Sequence, residues 1–96
     1  MKLLTIIYDA SIDASMAELL DGLNVPGWTR CEDVVGAGGR GPRLNSPVYP
    51  GTNHIALISL PDEDVPRVQR AIRRLQGSFR LKPGVTILCQ EVQELA

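Results

Sequence analysis

A run of glycines and prolines in the middle of the chain separates two apolar segments. Glycine stands at positions 36, 38, 39 and 41, and proline at positions 42, 47 and 50. Proline has no amide hydrogen and glycine loses the most backbone entropy on ordering, so neither a helix nor a long strand is expected here. The segment from about 38 to 52 is therefore predicted to be a mobile loop between two strands. Long loops in small domains are usually functional.

The glycines formally fit the dinucleotide-binding pattern Gly-x-Gly-x-x-Gly between Gly36 and Gly41. That motif has to open a helix whose first amide groups meet the pyrophosphate. Pro42 and Pro47 forbid a helix at this point, and we therefore reject a dinucleotide-binding fold. What remains is a set of glycine amides beside arginine side chains, which can form an anion-binding concavity.

Apolar periodicity predicts four strands and two helices. Short apolar runs indicate strands, and apolar side chains three or four residues apart indicate amphipathic helices. The first helix is preceded by Asp9 and Ser11, which can cap it, and the second has acidic residues in its first turn and ends at Gly77. The predicted strands are 3–8, 28–35, 54–60 and 85–92, and the predicted helices are 12–23 and 62–76.

The element order is strand, helix, strand, strand, helix, strand, which is typical of an α+β, ferredoxin-like βαββαβ sandwich with an antiparallel sheet. Two helices cover only one face of such a sheet. Three of the predicted strands are nevertheless apolar at both odd and even positions, whereas a sheet wetted on one face should alternate. We therefore expect the second face to be buried against other copies of the chain.

Composition narrows the class of protein further. The 96 residues fit a single domain, 1–96, and a net charge of −1 gives no reason to expect nucleic acid as a partner. No apolar run is long enough for membrane insertion, and a cytoplasmic protein is expected. The two cysteines, Cys31 and Cys89, are interpreted as small buried side chains of a protein in a reducing compartment.

Three stretches of sequence resemble the PII signal-transduction superfamily: 1–7, which opens the first strand, 27–29, which opens the second, and 32–39, which leads into the position of the flexible T-loop of that family. The resemblance implies a homotrimer whose intersubunit clefts bind an adenine nucleotide or a small anion. It also implies that the T-loop-like segment, about 38–52, regulates a partner protein such as a transporter or an enzyme. The segment 77–84 departs from the family, because it lacks the phosphate-binding Thr-Gly-x-x-Gly-Asp-Gly-Lys motif.

The candidate site combines the glycine-rich stretch with basic groups near the last strand. ADP or AMP is the expected ligand, and no further cofactor is expected. The ligand-binding candidates are Gly36, Gly38, Gly39, Arg40, Arg80 and Lys82. Two other loop residues, Arg43 and Tyr49, are candidates for binding the partner protein, since arginine and tyrosine are frequent at interface hot spots.

The main alternative is a metal-binding trimer similar to the CutA copper-tolerance proteins. Its ligands would come from His54, Cys31, Cys89, Glu32 and Asp33, with one residue from each of three subunits, because no local spacing gathers three or four of them. An enzyme is not expected. With a single histidine the chain offers no recognisable catalytic triad, and Glu32 and Asp33 should point to opposite faces of a strand.

Overall fold

The chain forms six strands and two helices, and a computed structural model describes residues 1–96. Two short 3-10 turns, Ala10–Ile12 and Asp62–Asp64, each lead directly into a helix. The elements are β1 (Lys2–Asp9), α1 (Asp13–Gly22), β2 (Thr29–Val34), β3 (Gly36–Gly38), β4 (Gly41–Arg43), β5 (Asn53–Leu60), α2 (Val65–Gly77) and β6 (Val85–Glu91).

Four of the strands form one antiparallel sheet in the order β2-β5-β1-β6. The two central strands are the apolar ones, as expected for strands that have a neighbour on each side. This sheet and the two helices confirm the predicted α+β, ferredoxin-like fold with an antiparallel sheet. Each predicted strand and helix is present, with ends that differ by three residues or fewer.

The helices pack on one face of the sheet and enclose the core. Along β1 and β5 every second side chain is buried, and the register places Leu4 opposite Ile58 and Ile6 opposite Ala56. Met16 and Leu20 of α1 cover this face, together with two side chains of α2. The core has eleven members: Leu4, Ile6, Tyr8, Ile12, Met16, Leu20, Ala56, Ile58, Leu60, Val68 and Ile72.

The opposite face of the sheet, which we call the open face, has no covering layer in one chain. It carries the alternate residues of the same strands, which are half-buried by one another or exposed. Its apolar members are Leu3, Ile7, Ile55, Leu57 and Leu88. The sheet therefore carries apolar side chains on both faces, as the sequence indicated, although polar residues such as Thr5, Ser59 and Gln90 share the open face. Ile87, on the other face of β6, packs against the core.

The glycine-rich stretch contains a small hairpin that the sequence analysis did not predict. Strands β3 and β4 pair in antiparallel fashion, with Gly38 opposite Gly41, so that Gly39 and Arg40 form a two-residue connection. Gly41 has φ of +92°, a conformation that costs little only for glycine. The segment that the sequence predicted as a mobile loop thus begins with a short paired region, because a two-residue turn lets even glycines pair.

The remainder of the loop, residues 44–51, folds back through backbone hydrogen bonds. The carbonyl oxygen of Tyr49 accepts from the amides of Leu44 and Ser46, and the carbonyl oxygen of Gly51 accepts from the amide of Asn45. The Ser46 hydroxyl also accepts a hydrogen bond from the Tyr49 amide. Val48 and Tyr49 are exposed at the end of this turn.

The placement of the cysteines corrects a second expectation, since both thiols are exposed in the single chain. They lie on β2 and β6, the two outer strands of the sheet. Cys31 is opposite Ile55 on the open face, and Cys89 is near the end of β6, where the helices do not cover it. Their burial was expected from residue type, but an outer strand has too few neighbours to provide it.

Candidate functional site

A pocket lies at one end of the sheet, where β1 ends and β5 and β6 begin. The turn between β3 and β4 forms one of its walls, and the last turn of α2 contributes another part. Its volume is about 270 Å³. The residues that line it are Ile7, Asp9, Gly38, Gly39, Arg40, Gly41, Arg43, Asn53, Gln76, Gly84, Val85 and Thr86.

Two arginines enter this pocket, and only one of them is neutralised. The Arg43 guanidinium forms an ion pair with Asp9, with 2.9 Å between Nη2 and Oδ2. Burial acts to raise the pKa of Asp9, but hydrogen bonds from Ser11 and the charge of Arg43 outweigh it, and the pKa is lowered. Arg40 has no carboxylate within ion-pair distance. The pocket therefore presents one unpaired cation beside glycine backbone, a combination suited to an anion.

The Arg40 side chain packs closely against Gly84. A β-carbon at residue 84 would approach Arg40 Cδ to 3.1 Å, so the arginine side chain would have to shift by a few tenths of an ångström. The backbone around Gly84 is fixed on both sides. Its carbonyl accepts from the amide of Asp9 at 3.1 Å, and the neighbouring carbonyl of Pro83 accepts from the Gln76 amide group at 2.7 Å.

The structure brings together part of the predicted ligand set. Gly38, Gly39 and Arg40 line the pocket, whereas Gly36 lies outside it, where β3 pairs with Arg43 of β4. Arg80 and Lys82 are exposed on the connection between α2 and β6 and do not line the pocket of their own chain. Of the two predicted partner-binding residues, Arg43 lines the pocket and Tyr49 is 45% exposed on the loop.

Sequence reasoning missed several residues of this pocket. Asp9 was interpreted only as a helix cap, which it is, since its side chain accepts from the amide of Ser11 at 2.9 Å. Its second oxygen binds Arg43, and nothing in the local sequence indicates that contact. Asn53 and Gln76 come from β5 and α2, and they reach the pocket only through the packing of α2 on the sheet. The one signal in the sequence was the position of Asn53, a polar residue at the end of a strand and next to the glycine-rich loop. It could have indicated that Asn53 lies near the site.

A second polar cluster lies beside the base of the loop and is centred on His54, which is 8% exposed. Its Nδ1 is 2.9 Å from Asp13 Oδ1, and its Nε2 is 3.4 Å from Asp33 Oδ1. Tyr8 donates to Asp13 at 2.7 Å, and the Arg30 guanidinium binds the other oxygen of Asp13 at 2.6 Å. The histidine is thus a hydrogen-bonding residue of a network that joins β1, α1, β2 and β5.

The shape of β2 explains how Asp33 reaches this cluster. The register of β2 against β5 shifts between Cys31 and Val34, and Asp33 takes a left-handed backbone conformation with φ of 52°. Such a bulge turns a side chain toward a direction that the regular strand would not allow. Asp33 accepts a hydrogen bond from the buried Thr52 at 3.0 Å, so the network links the two ends of the loop.

Of the residues considered for the metal-binding alternative, only His54 and Asp33 contact each other in one chain. No group of three or more histidine, cysteine, aspartate or glutamate side chains is arranged to hold a metal ion. Cys31 and Cys89 lie on the two outer strands and on opposite faces of the sheet. The three strand spacings between them alone amount to roughly 14 Å. Glu32 binds Arg30, whereas Asp33 binds Thr52, so these two carboxylates have different neighbours.

Comparison with solved structures gives clear likenesses, although no family model and no curated protein matches the sequence. The nitrogen regulatory PII-like protein CPII from Thiomonas intermedia K12, bound to ADP and bicarbonate, superposes with a TM-score of 0.70 at 20% identity, covering 95% of this chain and 86% of CPII. A second structure of CPII, bound to ADP, AMP and bicarbonate, gives a TM-score of 0.69 at 19% identity, covering 99% and 94%.

A PII-like signalling protein from Thermus thermophilus, described as putative, is also similar, with a TM-score of 0.57 at 19% identity. The match covers 93% of this chain and 83% of the Thermus protein. These likenesses confirm that the chain has the fold of PII-like proteins, as the sequence resemblance implied. No helix of the chain is long and apolar enough to cross a membrane.

Proposed function

We propose that this protein is a non-catalytic, PII-like regulatory protein that senses a small anionic ligand and signals to a partner protein. The ligand is ADP or AMP, and the working unit is a homotrimer in which each site lies between two subunits. The observation that carries the proposal is the unpaired Arg40 guanidinium in a glycine-walled pocket, in a fold shared with a protein that binds ADP, AMP and bicarbonate.

The size of the pocket supports a site shared between subunits. Small-molecule sites usually enclose about 300 to 1,000 Å³, and 270 Å³ suits a phosphate group or a small anion better than a whole nucleotide. The base and ribose then need a second wall. We assign that wall to a neighbouring subunit, whose Arg80 or Lys82 is exposed and has no carboxylate partner of its own.

Catalysis has no support in the geometry of the site. His54, the one histidine, lies in the network with Asp13 and Asp33 and does not line the pocket. The pocket contains no cysteine or serine. Thr86 is its one hydroxyl group, and its one carboxylate, Asp9, is already paired with Arg43.

The loop offers a route from the ligand to a partner protein. The turn 39–40 lines the pocket, and the same loop continues to the exposed side chains of Val48 and Tyr49. An anion that binds Arg40 and competes with Asp9 for Arg43 acts on both ends of the β3–β4 hairpin. Reordering of the segment 38–52 would then change what Tyr49 presents to a transporter or an enzyme.

Calorimetric titration with ADP, AMP, ATP, bicarbonate and divalent metal ions tests the proposal. Arg40→Ala and Lys82→Ala should each weaken the binding of ADP by about 1.5 to 3 kcal/mol, the usual worth of a hydrogen bond to a charged group. Gly84→Ala should weaken binding less than Arg40→Ala does, because its β-carbon shifts the Arg40 side chain by only a few tenths of an ångström. Arg67→Ala is the matched control, since Arg67 lies on α2, outside the pocket, and should change binding little.

Two results would contradict the proposed function, and a third would contradict the proposed location of the binding site. Absence of heat with every nucleotide at millimolar concentration would remove the nucleotide site. A response to a metal ion that disappears in His54→Ala would instead establish the metal-binding alternative. Equal weakening by Arg67→Ala and Arg40→Ala would show that general charge, and not this pocket, attracts the ligand.

A further inference from the structure

The charges of this chain are segregated to an extent that its net charge conceals. Residues 65–84, which form α2 and the connection to β6, contain six basic residues and no acidic one. The other 76 residues contain four basic and eleven acidic residues. A chain with a net charge of −1 is thus divided into a segment of charge +6 and a remainder of charge −7.

The cations of this segment also differ from the others in their contacts. Elsewhere in the chain, Lys2, Arg30 and Arg43 each form an ion pair with a carboxylate, and Arg40 alone does not. In the segment only Arg67 does so, with Asp64 at 3.7 Å. The five that remain have no carboxylate within 4 Å, and we call their surface the basic face: Arg70, Arg73, Arg74, Arg80 and Lys82.

The basic face is formed by three arginines of α2 and by two residues of the connection to β6. Arg70 and Arg74 are four residues apart on α2, which places their β-carbons about 5 to 6 Å apart on one side of the helix. Arg73 is turned toward β6, where it donates to the Val85 carbonyl at 3.0 Å. All five side chains are exposed, and Leu81, 85% exposed, stands between Arg80 and Lys82.

We infer that the basic face is a docking surface for an acidic segment of another protein, one that carries an apolar side chain to cover Leu81. Four of its five cations are arginines, whose planar guanidinium groups bind carboxylates in a bidentate manner. A cluster of like charges with no internal carboxylate destabilises the folded chain, and carboxylates from outside relieve that repulsion. This surface is distinct from the loop end at Tyr49. It shares Arg80 and Lys82 with the proposed nucleotide site, whereas its arginines on α2 lie outside that site.

Other polyanions fit the surface less well. Single-stranded nucleic acid is usually bound by aromatic side chains that stack on bases. The nearest aromatic residue along the chain, Phe79, is half-buried against the core. A membrane surface is usually bound by several apolar side chains together with cations, whereas the basic face exposes one, Leu81. A short acidic peptide with one apolar contact matches both the number and the type of the groups present.

Fluorescence anisotropy with a labelled twelve-residue peptide of glutamate and leucine tests this inference. The expected result is saturable binding at low salt that weakens as salt increases, because exposed charges are screened. The double variant Arg70→Glu with Arg74→Glu should bind at least tenfold more weakly, which corresponds to about 1.4 kcal/mol. Leu81→Ser should weaken binding severalfold, and a peptide with glutamine in place of glutamate should not bind.

Arg67→Gln is the matched control on the same helix, because its guanidinium already engages Asp64 and the Leu23 carbonyl. It should change peptide binding less than threefold. Circular dichroism confirms that each variant is folded, and the double variant Arg70→Ala with Arg74→Ala replaces the glutamate pair if that pair fails to fold. The double variant should still bind ADP, so a failure of docking and a failure of the nucleotide site are separable.

Three outcomes would overturn the inference. The peptide does not bind at millimolar concentration, or it binds the double variant and the wild type equally. In the third, vesicles with 30% phosphatidylserine or a twelve-nucleotide single strand bind the basic face more tightly than the peptide does, and the same double variant abolishes that binding.

Discussion

Asp13 makes the most contacts of any carboxylate in the chain, with hydrogen bonds or ion pairs to Tyr8, Arg30 and His54. Burial acts to raise the pKa of Asp13, but the hydrogen bonds from Tyr8 and His54 and the charge of Arg30 outweigh it, and the pKa is lowered. Burial, together with the hydrogen bond to Asp13, raises the pKa of Tyr8 well above its usual value. Asp13 is therefore charged in the folded protein at any pH near neutral.

We expect Asp13→Asn to lower the free energy of unfolding by about 2 to 3 kcal/mol at pH 7, because it removes the charge that satisfies partly buried donors. A lowered pKa contributes stability that is fully present above the usual value near 3.8 and is lost as the pH falls through the folded-state pKa. The difference between variant and wild type should therefore shrink below about pH 4. Urea unfolding followed by circular dichroism, from neutral pH down to the acid range, measures both quantities.

Glu18→Gln is the control for that experiment, since Glu18 is exposed on the same helix and forms no ion pair. It should change the free energy of unfolding by less than about 0.5 kcal/mol. A difference between Asp13→Asn and wild type that stays constant throughout the acid range would mean that the carboxylate charge does not contribute.

Among the elements, the loop from residue 38 to residue 51 is held by the fewest packing contacts. The hairpin β3–β4 has only three opposed residue pairs, and the turn beyond it is held by a few hydrogen bonds near exposed side chains. Little apolar surface is buried there, and segments of that kind open with a low free energy.

We predict that the amides from 44 to 51 exchange with solvent within the dead time of a manual experiment, whereas those of β1 and β5 are protected. Hydrogen exchange measured by mass spectrometry, with and without ADP, provides the comparison. Binding of the ligand at Arg40 should slow exchange in the β3–β4 hairpin more than in residues 44–51. Strong protection of the whole loop in the absence of ligand would show that it is a fixed packing element.

For the whole molecule, we expect the open face to form the interface between the subunits of the trimer. Leu57 lies at the centre of that face on β5, whereas Ile87 faces the helices and packs against the core. An aspartate at residue 57 places unpaired charges in the proposed trimer interface, while an aspartate at residue 87 places one beside the core. The two substitutions, similar in chemistry, should therefore have different consequences.

We expect the wild type to be a trimer at micromolar concentration and Leu57→Asp to be a folded species of monomer mass. Ile87→Asp should lose about 2 to 4 kcal/mol of stability, since a charge beside the core is costly. Size exclusion coupled to light scattering measures the mass, and circular dichroism measures folding. A monomeric wild type would contradict the trimer and, with it, the site shared between subunits.

The sequence by itself determined the two helices and the four strands of the main sheet, because apolar periodicity depends on which residues face the core. Alternate burial along 3–8 and 54–60, and the helical spacing from Met16 to Leu20, are local patterns that packing follows. The two apolar faces of the sheet were also readable, since they depend only on residue type and on a period of two. Gly38, Gly39 and Arg40, which line the pocket, could be predicted as one group because they are neighbours in the chain.

Only the tertiary structure decided which distant groups meet. The ion pair of Asp9 with Arg43, the place of Gly84 beside Arg40 and the contact of Gln76 with Pro83 join residues from separate elements, and their distances depend on the register of the sheet and the packing of α2. The bulge at Asp33 and the exposure of Cys31 and Cys89 likewise follow from strand order. Local pattern does not encode these contacts, because each depends on the positions of two chain segments at once.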